Sequence, residues 1–196
     1  MPPSVRLVIL AQMSLGLFLL VCFVLMPHFL LQSDEGGVSN YGTYSATIIP
    51  YTLAFGLCGV LTLQAARVFW TDTARSRQLR RVLFGSGWFY LAVLESTYLY
   101  QVSGLLDDIH IAVGVLLLVF QIATATWFGH VFTRDVLQTV LLAAQGAGFI
   151  LAVLTLFGVL HVLFIAEVVT SLTFGWLLIR VVRQACPDCT DTKNLR

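Results

Sequence analysis

The 196-residue chain is 58% hydrophobic and 11% charged, with a net charge of +1, whereas soluble domains carry about 25% charged residues. That balance excludes a soluble globular domain and, with no basic region of domain size, a nucleic-acid binder. Four cysteines in a chain of this length also exclude a disulfide-stapled secreted module.

In chain order, apolar segments fall at about 6–27, 46–69, 82–102, 109–132, 136–158 and 161–183, each near the roughly 20 residues that a helix needs to cross the hydrocarbon core. The predicted fold is all-α: a polytopic bundle of six transmembrane helices over 1–185, followed by a short cytoplasmic tail at 186–196. The first segment reads as a span and not as a signal peptide, because its apolar run is too long and no small-residue cleavage site follows Pro27-His28. Val113 to Phe120 is continuously apolar, without the alternation that a membrane β-barrel requires.

Basic loops stay on the cytoplasmic side, and here the bases are one-sided. With six spans, Arg6, the cluster Arg67, Arg75, Arg77, Arg80 and Arg81, then Arg134, Arg180, Arg183, Lys193 and Arg196 all fall on one face. The opposite connections carry Asp34, Glu35, Asp107 and Asp108 and no base. Both termini are therefore expected inside, in the plasma membrane of a bacterium. Arg75, Arg77, Arg80 and Arg81 anchor this topology and could also meet anionic lipid headgroups. Cys186-Pro187-Asp188-Cys189 has CxxC spacing but no second pair, so it is not read as a metal or redox site. Cys22 and Cys58, within spans, read as small packing residues.

The connection 32–44 is rich in turn residues, with Gly36, Gly37, Ser39, Asn40 and Gly42, and carries Tyr41 and Tyr44, which suit the headgroup level. It is expected to fold back over the helix ends as a lid, with Asp34, Glu35, Ser39, Asn40 and Gly42 facing a pocket. Polar groups inside a membrane are costly and face the bundle interior or a wet cavity. Glu95 lies roughly 12 Å and Glu167 roughly 9 Å below the outer helix ends at the helical rise per residue. His28, Asp107, His110 and His161 gather on the same rim. Asp107 and His110 share a face if the fourth helix begins early enough.

These residues fit few known chemistries. There is no HExxH, HxxxH or paired CxxC, so neither a metal nor another cofactor is expected. No GxSxG accompanies the rim. His110 and His130 are about 30 Å apart along one helix, too far to flank buried haems. An inverted-repeat carrier would place its two acids at opposite depths, whereas Glu95 and Glu167 share one. The glutamates could also simply fasten helices through polar neighbours.

Ser39-Asn40-Tyr41-Gly42 before the second span, an arginine-bearing inner loop, and Asp107-Asp108-Ile109-His110-Ile111-Ala112-Val113-Gly114 opening the fourth resemble the six-span DRAM/Sfk family. Uncharacterised bacterial six-span proteins have a similar layout. The resemblance matches Ser39, Gly42 and His110 to recurrent family positions. It implies a regulatory role in membrane-lipid organisation or lipid-anchor handling, without an established cofactor. The expected function is that of a non-enzymatic, lipid-associated or accessory protein with a polar pocket open to the outer face. Its partners would be membrane lipids, with a membrane protein or a second copy also compatible. The rival is a proton-coupled carrier or lipid-modifying enzyme using Glu95, Glu167 and the outer histidines. For the topology, cysteine labelling from outside should reach a probe in the 33–44 connection and miss one in the 71–81 connection; labelling of both would contradict it.

Overall fold

A computed structural model describes residues 1–27, 37–69, 72–99, 102–132 and 135–186. The described residues form six α-helices and no strand: α1 (Pro3–Leu25), α2 (Ile48–Val68), α3 (Ala74–Leu99), α4 (Gly104–Val131), α5 (Val136–Leu156) and α6 (Leu163–Ala185). A 3-10 turn, η1 (Val38–Gly42), sits between α1 and α2. Every helix except α3 is long and apolar enough to cross a membrane. In α3 the first two turns carry four arginines and the last carry Glu95, Ser96 and Thr97.

Two helices begin earlier than the apolar pattern indicates, because polar side chains cap them. Thr73 and Ser76 cap reciprocally: the Ser76 N–H donates to Thr73 Oγ1 at 3.1 Å, and the Thr73 N–H to Ser76 Oγ at 3.0 Å. The arginine-rich stretch, read as a connection, is therefore the start of α3. Ser103 accepts from the Leu106 N–H at 3.4 Å, so α4 already includes Asp107 and His110. Asp135 caps α5 by accepting from the Gln138 N–H at 2.8 Å and pairs with Arg180 of α6. The Gln138 N–H, and after it the Arg180 guanidinium, hold the Asp135 carboxyl below the usual carboxylate range.

Each helix packs on the next in sequence, and α6 returns to contact α1 and α4. Cys22–Thr47, Ser96–His110 and Arg180–Asp135 contacts join the ends of successive helices, giving an antiparallel succession with two distinct ends. The arginine end is densely filled. There Phe128 and Phe174 stack at 6.5 Å between buried Val5, Val8, Leu83 and Leu177. The turn end, under η1, contains a second cluster around Leu15, Tyr51, Phe55, Tyr90 and Phe164.

Small residues let helix backbones approach closely. Gly59 of α2 and Gly87 of α3 do this for each other. A Cβ on either would lie 3.0 Å from the other's carbonyl oxygen and under 3.0 Å from Leu91 or Leu63. Gly114 is the opposite case, with nothing within 4 Å of an added Cβ. Gly87→Val should therefore destabilise the protein by about 1–3 kcal/mol through overpacking, while Gly114→Ala should be neutral or slightly stabilising. Denaturant unfolding in one detergent would check this, and equal effects of the two would contradict it.

Candidate ligand-binding site

At the turn end, α1, α4 and α6 diverge around a cavity of about 370 Å³. Its walls are apolar: Leu15 and Leu19 of α1, Leu117 and Leu118 of α4, and Phe164 and Val168 of α6, backed by Tyr51, Phe55 and Val93. Two lining glycines, Gly16 and Gly114, have open space where a side chain would project. Leu20 and Leu172 also line it, yet are 57% and 49% exposed. The cavity thus reaches the outer surface of the bundle at Leu20 and Leu172.

The turn η1 covers the end of the cavity and is fastened to three helices. The Val38 N–H donates to Glu167 Oε2 of α6 at 2.6 Å. The Glu167 carboxyl fits where Gly37 has no side chain, since a Cβ there would come within 2.2 Å of it. Ser39 Oγ lies 3.0 Å from His110 Nε2 of α4, whose Nδ1 lies 3.0 Å from Ser96 Oγ of α3. Ser96 also reaches the Val93 carbonyl at 3.1 Å. If its proton points there, the imidazole carries its hydrogen on Nδ1 and accepts from Ser39 at Nε2. On the α2 side, Thr47 donates to the Tyr41 carbonyl at 2.7 Å. Tyr41 packs edge-on to Phe164 at 5.9 Å, and its hydroxyl reaches the Met26 carbonyl at 3.5 Å. Burial pushes the Tyr41 phenol up to about 12.

Ser39, His110 and Glu167 thus come together at the cavity's covered end. The Val38 N–H reaches Glu167, and the Asn40 carbonyl caps its own turn by accepting from Thr43. Gly42 packs against Tyr51 and Thr97, whose hydroxyls lie 2.9 Å apart. Asp107 is partly buried one turn before His110 but does not line the cavity. Glu95 does not join the group either. It is exposed, with inward-facing Leu94, Ser96 and Thr97 on either side of it, so it points out of the bundle although its depth matches that of Glu167. His161 is exposed and lies outside the lining. Arg75, Arg77, Arg80 and Arg81 stand at the arginine end. His28, Asp34 and Glu35, and Cys189 in the tail, lie outside the described residues.

Ser96 and Gln121 belong to this region without having been singled out in the sequence. Gln121 lies at the far end of the cavity lining, about 16 Å along α4 from His110 at the helical rise per residue. It is 1% exposed, and neither amide atom has a partner among the described residues. The readable signal was the spacing on α4: His110, Gly114, Leu117, Leu118 and Gln121 recur at intervals that keep them on one helix face.

Among the described residues no three His, Cys, Asp or Glu side chains gather as a metal site would need. The geometry instead offers a mostly apolar chamber with hydrogen-bonding groups at its covered end, the Gln121 amide at the other, and no lysine or arginine among the described lining residues. Glu167→Ala should leave the buried Val38 N–H without its acceptor, at a cost of about 1–3 kcal/mol. Amide exchange at Val38 should then quicken, while Glu95→Ala should leave it unchanged; equal behaviour of the two variants would contradict this placement.

Comparison with known proteins finds no matching family model, no matching curated protein and no matching solved structure.

Proposed function

We propose that this chain is a six-span plasma-membrane protein, with its termini and arginines on the cytoplasmic side, that holds an amphiphile in the cavity between α1, α4 and α6 without transforming it. The observation that carries this reading is the cavity's polarity: mostly apolar walls, with Ser39, His110 and Glu167 at the covered end and the Gln121 amide at the other. Such a chamber suits a hydrocarbon chain along its walls and a head held by hydrogen bonds. The opening at Leu20 and Leu172 lets the chain come sideways from the bilayer, while η1 covers the end. Val38 occupies only part of the accepting capacity of the Glu167 carboxyl. With no lysine or arginine among the described lining residues, an amine or hydroxyl head is favoured over a bare phosphate. The DRAM/Sfk family remains the family we propose, supported by the contact between Ser39 and His110, two of the residues that carry the resemblance.

Native mass spectrometry of protein taken from mixed bilayers tests the reading. Amine-bearing or neutral lipid should stay bound, and should be lost on Gly114→Leu, which fills the chamber, and on Glu167→Ala, but not on Glu95→Ala. Lipid retention unaffected by Gly114→Leu and Glu167→Ala would refute it.

A second reading rests on one distance. Ser39 Oγ lies 3.0 Å from His110 Nε2 beside an apolar chamber, as a serine nucleophile and its base would in acyl transfer or ester hydrolysis. Labelling by a fluorophosphonate that Ser39→Ala abolishes would favour it. Absence of labelling would leave the binding reading alone.

A further inference from the structure

The four arginines in the opening turns of α3 are not equivalent. Arg75 sits over the Phe132 ring, 5.5 Å from its centroid, and is thereby directed to the end of α4. Arg77, Arg80 and Arg81 are exposed and have no acidic partner among the described residues, where the ion pair is the one between Arg180 and Asp135. Arg77 and Arg81 are four residues apart and stack on one face of the helix. The next turns of that face are apolar and open: Phe84 is 46% and Trp88 55% exposed, and their rings meet edge to face at 6.3 Å. Gly85 keeps the surface low between them, and Phe120 of α4 closes over it, 3.2 Å from where a Cβ would stand. Two shallow grooves result. One runs between Arg77, Gln78, Arg81 and Phe120, the other between Arg77, Arg80, Arg81, Phe84 and Gly85.

Depth matches this chemistry to a lipid. The 26 residues of α3 span about 39 Å, more than the roughly 30 Å of hydrocarbon. On the proposed six-span reading, its first two turns stand at headgroup level, with Phe84 and Trp88 just beneath. Guanidinium groups hold phosphate through paired N–H donors, and an uncompensated pair above an aromatic shelf presents both halves of a phospholipid site. We propose that this face of α3 binds an anionic phospholipid, with Arg77 and Arg81 on its phosphate and an acyl chain running along Phe84 and Gly85. The site is at the opposite end of the bundle from the cavity and does not depend on it.

The test is competitive retention. Protein reconstituted in phosphatidylcholine vesicles containing a minority of phosphatidylglycerol is released into detergent, and its bound lipids are counted by native mass spectrometry. Phosphatidylglycerol should be enriched over its share of the bilayer. Arg77→Gln and Arg81→Gln should each lower that enrichment about fivefold, the two together more than either. Arg75→Gln should leave it unchanged. Added inorganic phosphate should not displace the lipid, because it has no chain to place on the shelf. The proposal is overturned if phosphatidylglycerol is not enriched, if Arg75→Gln lowers enrichment as much as Arg77→Gln, or if inorganic phosphate displaces the lipid. All three arginines are exposed, so loss of folding does not confuse the comparison.

Discussion

The hydrogen bonds from η1 to Glu167 and His110 shape the whole turn end of the molecule. A carboxyl group within a membrane-compatible bundle is costly unless something pairs with it, and the Val38 N–H donates to it at 2.6 Å. The bond also satisfies Val38, since a buried backbone N–H is itself expensive to leave unpaired. Gly37 makes the approach sterically open. The neighbouring residue, Ser39, ties the same turn through His110 to Ser96. Two contacts one residue apart thereby join α3, α4 and α6 through five residues of 3-10 turn.

The two ends of the bundle solve the packing problem differently. At the arginine end, large rings fill the centre, and Phe174 lies between Phe120 and Phe128. At the turn end, Gly16 and Gly114 project nothing into the middle, whereas nearer the arginine end Gly175 lets the Gln12 side chain of α1 come close to α6. Close packing is the rule in protein interiors, so the chamber under η1 stands apart from the rest of the core. Its lining carries the two glycines and a buried glutamine whose amide has no partner among the described residues. A guest or water could supply that partner.

The all-α, membrane-compatible class was legible in composition and in the spacing of apolar runs, because both follow from what lipid tolerates. Depth along a helix was legible too, since it is a count of residues. Direction was not. Glu95 and Glu167 come out at matching depth, yet one faces out and the other faces η1, and the difference lies in which neighbours turn inward. For Glu95 those are Leu94, Ser96 and Thr97, all buried. The start of α3 was hidden because a run of arginines reads as a connection, while the reciprocal cap of Thr73 and Ser76 turns it into helix. The pairing of Ser39 with His110 spans 71 positions, and no local pattern encodes a contact across that separation.

The central claim is that η1, held by Glu167 and His110, covers a chamber that admits a chain from the side. An experimental structure of the protein extracted from its own membrane with minimal detergent tests this most directly. The account predicts elongated density between α1, α4 and α6, entering past Leu20 and Leu172, with its polar end at Glu167 and His110. An empty chamber closed by α1 resting on α6, or a turn 37–42 detached from both residues, would contradict it.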